Sequence, residues 1–159
     1  MSLTLITAIS ENNVIGNNGK LPWSIPEDLK RFQILTKNHP VIMGRKTYES
    51  IPEEKRPLKQ RKNIVLTKNS DFNSDGIYIA KNIEEAIDLC EGKEGYVIGG
   101  ESVYREFLPY TNKMELTKIH REFEGDTYFP EINWNEWEKI MEMDRFSLGF
   151  SFTTYRRRK

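Results

Sequence analysis

Val41-Ile42-Met43-Gly44-Arg45-Lys46-Thr47 joins an apolar run to a glycine, two cations and a hydroxyl. The run does not alternate with polar residues, so it suits a strand buried on both faces, as in a mostly parallel sheet. Gly44 ends that strand, and residues 47–51 read as a short helix. A helix start offers free N–H groups and a partial positive charge, which makes it a natural phosphate seat. It is not a P-loop, because the earlier glycine is missing and Lys46 does not directly follow Gly44.

The same punctuation recurs on either side. Tyr96-Val97-Ile98-Gly99-Gly100-Glu101-Ser102-Val103-Tyr104 is a second strand–glycine–helix junction, without the spacing of the common dinucleotide fingerprint. Two adjacent glycines let a ligand approach the backbone closely. Residues 3–9 and 64–66 are further apolar runs, and residues 77–80 are a weaker one. Helical patterns lie between them. Ser24-Ile25-Pro26-Glu27 and Asn82-Ile83-Glu84-Glu85 read as capping boxes, and Ile83, Ala86, Ile87 and Cys90 follow at helical spacing. Residues 101–108 form another helical stretch that stops at Pro109. Residues 114–119, 137–143 and 150–155 alternate more and read as antiparallel strands closing one edge. The expectation is an α/β fold. It is a single domain over residues 1–159, with a mostly parallel central sheet of about eight strands, an antiparallel C-terminal edge and four flanking helices.

Composition narrows the function. The 159 residues carry 24 Lys and Arg against 24 Asp and Glu, for a net charge of zero. No broad basic face is available for nucleic acid, and no apolar run approaches the ~20 residues of a membrane span. The N-terminal residues lack the basic region of a secretory leader. One cysteine, Cys90, and two histidines, His39 and His120, exclude an internal disulfide and disfavour a metal centre. Cys90 reads as a core residue, and the basic tail at residues 156–159 as a solvated end. A reduced, cytoplasmic, monomeric protein is expected.

Asp28 is the most informative residue. With Asp28 at zero on a helix wheel, Phe32 falls near +40°, Ile25 near +60°, Leu29 near +100° and Leu35 near −20°, at about 100° per residue. The carboxylate therefore sits inside an apolar stripe, while Glu27 has a capping role. A buried acid has a raised pKa or meets matching donors. Bonding to first-turn amides, or to a protein cation, is the plainer alternative. The loop before it, residues 11–23, holds two glycines and four asparagines, which favour positive φ and mobility. It starts where the first strand ends, which is where ligands sit in α/β sheets. Arg61, just before the strand at 64–66, can hold a carboxylate bidentately, although a solvated arginine is the default there.

Taken together, these pieces resemble dihydrofolate reductase over nearly the whole chain. The matching segments are Val14-Ile15-Gly16, Leu21-Pro22-Trp23, the Asp28 helix, Val41 to Thr47, Arg61-Lys62-Asn63-Ile64-Val65-Leu66, Val97-Ile98-Gly99-Gly100 and Glu124-Gly125-Asp126-Thr127-Tyr128-Phe129-Pro130, in the family's order. The resemblance implies reduction of 7,8-dihydrofolate to tetrahydrofolate with NADPH, a step of one-carbon metabolism and an antifolate target. By the same resemblance Asp28 faces the pterin and supports protonation at N5, and Thr117 hydrogen-bonds Asp28. Leu21 and Trp23 belong to the loop that closes on the nicotinamide. Ile6, Leu29, Phe32, Ile51, Leu58 and Ile98 line the pterin and benzoyl pocket, and Arg61 takes the glutamate α-carboxylate. On the cofactor side, Ala8, Ile15 and Gly16 meet the nicotinamide end. Gly99, Gly100, Glu101, Ser102, Val103 and Tyr104 approach the nicotinamide and pyrophosphate. Gly44, Arg45, Lys46, Thr47, Leu66, Thr67 and Lys68 handle the phosphates, the 2′-phosphate selecting NADPH.

The chain departs from the family pattern in three places. Ser50-Ile51-Pro52-Glu53-Glu54-Lys55-Arg56-Pro57 is longer than the bacterial turn and closer to the vertebrate one. Ser102 stands where some members have a cofactor-binding arginine. Residues 144–150 are short. A pyrimidine reductase of riboflavin synthesis shares the architecture, but its substrate has no glutamate tail for Arg61. A nucleotide-binding regulatory module would need neither the acid nor the flap.

Overall fold

The computed structural model describes residues 2–159; Met1, part of the N-terminal stretch read above, lies outside the described residues. Eight strands form one sheet in the order β5-β4-β3-β6-β1-β7-β10-β9. The strands are β1 (Leu3–Ile9), β3 (Pro40–Gly44), β4 (Lys62–Leu66), β5 (Ile77–Ala80), β6 (Gly95–Gly99), β7 (Lys113–Ile119), β9 (Trp137–Arg145) and β10 (Phe150–Arg157). The neighbouring pairs from β5 through to β7 are parallel. Only β10 runs antiparallel, to β7 and to β9. Two further short strands, β2 (Val14–Gly16) and β8 (Thr127–Tyr128), form a separate antiparallel ribbon.

The apolar runs behave as strands buried on both faces. Leu3, Leu5, Ile42, Ile64 and Val97 enter one apolar layer with Ala86 of helix α3 (Ile83–Leu89), Cys90 at its C-cap, and Val103 and Phe107 of helix α4 (Glu101–Phe107). Their chain neighbours Ile6, Val41, Met43, Val65 and Tyr96 enter the other. There they pack with Phe32 and Leu35 of α1 (Pro26–Thr36) and Tyr48 of α2 (Arg45–Ser50). Alternate residues thus feed opposite faces, each covered by helices, which removes the need for polar positions. Cys90 lies in the first layer, where its thiol is pushed up to about 11 by burial.

Several local expectations are revised. The Asn82 box forms: the Asn82 side chain accepts from the Glu85 amide at 2.8 Å, and the Glu85 carboxylate accepts from the Lys81 amide at 2.7 Å. The Ser24 box does not form. The α1 N-cap is Ile25, without a side-chain bond, and Pro26 occupies the first turn, where a missing N–H costs little. Glu27 instead meets Arg145 of β9 at 3.2 Å. Strand β7 belongs to the parallel part of the sheet through β1, although its sequence alternates. Its polar Glu115 and Thr117 are buried, because they have partners on α1 and β10. Arg157 in the basic tail is the last residue of β10 and is not simply solvated. Its guanidinium donates to the carbonyls of Thr111 at 2.8 Å and Leu108 at 2.7 Å, 4.4 Å from the Trp137 ring.

Candidate active site

A cleft of about 1890 Å³ opens across the carboxyl ends of the parallel strands and the start of α1. Every site residue expected from the sequence lies on its wall: Ile6, Ala8, Ile15, Gly16, Leu21, Trp23, Asp28, Leu29, Phe32, Ile51, Leu58, Arg61 and Thr117, with Gly44 to Thr47, Leu66 to Lys68, and Ile98 to Tyr104. Its lining contains no histidine or cysteine.

Asp28, the third residue of α1, projects toward β7. The Thr117 hydroxyl donates to its Oδ1 at 2.5 Å. Burial pushes the Asp28 carboxyl above the ordinary carboxylate range, while the Thr117 hydrogen bond and the nearby Arg31 partly oppose that. Arg31 itself reaches Glu115 of β7 at 2.6 Å, and Glu115 also accepts from Thr154 at 2.9 Å. Residues 28 and 31 of α1 therefore pair with residues 117 and 115 of β7, in two polar rungs. Leu29, the next residue, is 56% exposed on the same cleft wall, so apolar surface is left for a ligand. Arg31 and Glu115 were missed by sequence reasoning. The detectable signal was the i, i+3 spacing from Asp28 on the helix, and the i, i+2 spacing to Thr117 on the strand.

Arg61 is held before it meets any ligand. Its Nε donates to the Lys59 carbonyl at 2.9 Å and its Nη1 to the Thr36 hydroxyl at 3.2 Å, with the Phe32 ring 5.9 Å away. Asn63 ties the approach to this arginine by bonds to Leu58 and Arg61. The long turn before it folds into a helical turn, Glu53–Lys55, with Arg56 donating to the carbonyls of Glu49 and Ile51.

The two glycine junctions are neighbours. Strands β3 and β6 pair, Met43 opposite Gly99. The Thr47 hydroxyl lies 3.5 Å from where a Gly99 Cβ would stand and 3.3 Å from that of Gly100. Gly99 has φ of 131°, in the region L side chains rarely adopt, and the Gly99–Gly100 peptide is cis. The backbone here is bare, as a close-lying ligand requires. Tyr104 locks α4 to β1 through its hydroxyl, which donates to the Ile6 carbonyl at 2.8 Å; burial pushes this phenol well up.

The flap contains more order than its glycines and asparagines suggest. Val14–Gly16 pairs with Thr127–Tyr128, the Asp126 amide donates to the Gly16 carbonyl at 3.1 Å, and the Asn18 amide donates to the Asp126 carboxylate at 3.1 Å. Asn13, Asn18 and Gly19 take positive φ, as expected. Leu21 is 63% exposed; Trp23 stacks edge-on to Phe123 at 5.2 Å, and its buried indole N–H has no partner among the described residues.

This division of the cleft defines a class of protein. It is an α/β enzyme with one half-buried carboxyl beside β7, a cationic helix start after β3 and a glycine-bared helix start after β6. Comparison with known proteins narrows the class. The family model described as dihydrofolate reductase matches residues 2–157. A dihydrofolate reductase of Staphylococcus haemolyticus is 43% identical over 141 residues, spanning 88% of this chain and 83% of that protein. One from Haemophilus influenzae is 42% identical, spanning 97% and 99%. A solved dihydrofolate reductase from Enterococcus faecalis, complexed with NADP(H) and RAB-propyl, superposes with a TM-score of 0.89 at 37% identity, covering 99% of this chain and 97% of that one. The chain belongs to the dihydrofolate reductase family, and is an enzyme of that kind.

Proposed function

We propose that this protein reduces 7,8-dihydrofolate to 5,6,7,8-tetrahydrofolate with NADPH, acting as a monomeric single domain. The observation that carries the reading is the raised carboxyl of Asp28, held by the Thr117 hydroxyl at 2.5 Å on the wall of a cleft that also contains Arg61. The residues fit the cofactor. A Cβ at Gly100 would stand a tight 3.3 Å from the Thr47 hydroxyl and one at Gly99 would be strained by its φ of 131°, while the buried Arg45 Nε makes no hydrogen bond among the described residues, its ion-pair partner Glu49 lying 3.5 Å away. Lys46, Thr67 and Lys68 add cation and hydroxyl groups on the same wall.

NADPH, when bound, supplies the hydride; the N5=C6 bond of the pterin accepts it at carbon, and one proton is taken up at N5. The chain's part is positional. Asp28 accepts hydrogen bonds from the pterin ring and supports the N5 proton route, because burial keeps its carboxyl protonated to higher pH than an exposed acid. Thr117 fixes which carboxylate oxygen faces the ring. Ile6, Phe32, Ile51, Leu58 and Ile98 exclude water around the pterin and benzoyl groups, and Arg61 holds the glutamate α-carboxylate with the N–H groups not already bonded to Lys59 and Thr36. Leu21 and Trp23 cover the nicotinamide end. Lys68 and Arg45 take the phosphate role that Ser102 cannot. Loss of NADPH absorbance that requires added dihydrofolate supports this function; loss that is equal without dihydrofolate, or no loss at all, rejects it.

A further inference from the structure

The Arg45 guanidinium does not hang free at the first residue of α2. Its carbon lies 4.8 Å from the centre of the Phe72 ring, and its Nε lies 3.5 Å from Glu49, one helical turn on. Phe72 sits in the connection between β4 and β5 and is not among the residues of the cleft wall, to which Arg45 belongs. That connection is itself fastened. Phe72 packs edge-on against Tyr48 at 6.2 Å, the Tyr48 hydroxyl bonds Ser74 at 3.0 Å, and the Phe72 amide donates to the Asn69 carbonyl at 3.1 Å. Lys46 and Lys68 share the wall, but among the described residues neither has an aromatic ring under it. Of Arg45, Lys46 and Lys68, Arg45 alone is both forked and, among the described residues, backed by a ring.

We propose that Phe72 is a positioning residue for cofactor choice. Its ring holds the Arg45 fork toward the cleft, so that the protein favours a ligand bearing a phosphate monoester on the adenosine ribose. This rests on the NADPH reading above. An arginine that is ordered before binding loses less freedom when it meets a phosphate, and its fork matches two phosphate oxygens where an ammonium offers a point charge. A cation over an aromatic face is favourable, and most so when partly desolvated, as the buried Arg45 Nε is.

The test compares equilibrium binding of adenosine 2′,5′-bisphosphate with that of 5′-AMP, by calorimetry on the intact protein. NADPH and NADH are then compared by tryptophan fluorescence. The ratio within each pair is independent of the fraction folded. Phe72→Leu keeps apolar bulk but removes the ring, and Phe72→Tyr restores the ring. The expected result is a fall in 2′-phosphate preference of about 3- to 10-fold in Phe72→Leu. In that variant 5′-AMP and NADH affinity and kcat at saturating NADPH stay unchanged, and Phe72→Tyr behaves as the parent. Equal weakening of both members of each pair, or unchanged ratios in Phe72→Leu, overturns the proposal. Arg45→Gln separates the two ways of failing. If it loses the preference while Phe72→Leu retains it, the role of Phe72 alone is refuted; if neither loses it, the assignment of Arg45 falls as well.

Discussion

Arg31→Met removes one partner of an ion pair next to Asp28, and the structure sets the size of the effect. The pair is 2.6 Å long, with Arg31 20% and Glu115 8% exposed at the side chain. Without Arg31, the Glu115 carboxylate keeps, among the described residues, only the Thr154 hydroxyl, at 2.9 Å. Breaking a buried pair on one side costs about 3–5 kcal/mol, because an uncompensated charge remains. The exposure of Arg31 lets some water reach the site, which favours the lower end, about 3 kcal/mol. The guanidinium also lies 4.7 Å from the Phe152 ring, where the methionine side chain preserves part of the packing. For a chain of this size, 1 kcal/mol shifts the melting temperature by about 2–4 °C, so a fall of about 6–12 °C is expected. Urea unfolding followed by tryptophan fluorescence measures the free energy directly. The double variant Arg31→Met with Glu115→Leu is expected to recover at least half of the loss, since replacing a whole buried pair with apolar groups is often neutral. A single variant within 1 kcal/mol of the parent refutes the reasoning. So does a double variant no more stable than the single one.

Two further perturbations probe the site. Thr117→Val removes a hydrogen bond to the ionised form of Asp28, so the carboxyl should rise further. If the protonated acid supports turnover, the alkaline limb of the kcat–pH profile then moves to higher pH; a limb that stays in place or moves down contradicts the role given to Thr117. The same raised carboxyl favours folding at acidic pH and loses that contribution as pH rises through its folded value, so the variant should lose stability more steeply than the parent above pH ~4. Tyr104→Phe deletes the hydroxyl that donates to the Ile6 carbonyl at 2.8 Å in a buried place. A loss of about 1–2 kcal/mol in urea unfolding is expected, and a change below 0.3 kcal/mol would show that this bond does not tie α4 to β1.

Much of this fold was legible because its strands are buried on both sides. Residues 41–43 and 64–66 have no polar position, and that pattern has few other homes than a helix-covered parallel sheet. The glycine junctions at Gly44 and at Gly99-Gly100 were legible for a related reason: a strand feeding a helix through a bare backbone leaves a composition signal. The reading failed where a polar residue finds a distant partner. Glu115 and Thr117 gave β7 an alternating pattern that resembles a half-solvated strand, yet Arg31, Asp28 and Thr154 bury both. Ser24 and Glu27 fitted a capping pattern that is purely local, while Glu27 is drawn to Arg145, 118 residues on. Strand β2 is only three residues long, and its identity depends on pairing with Thr127–Tyr128 across the chain. Within the site, Asp28 was visible from its own helix alone, because a carboxylate in an apolar stripe is anomalous without any tertiary knowledge. The support under Arg45 was not visible, because Phe72 stands in a loop with no periodicity to place it.

The central claim is that Asp28 is the acid of a dihydrofolate-reducing site. The most direct measurement is the pH dependence of dihydrofolate-dependent NADPH oxidation, parent against Asp28→Asn, with folding checked by urea unfolding. The account predicts that the variant keeps its fold and loses at least 100-fold in kcat near neutral pH, the scale of a positioned acid. Its rate should then rise as pH falls and solvent supplies the proton. Near-parental turnover at neutral pH in a folded Asp28→Asn protein would contradict it.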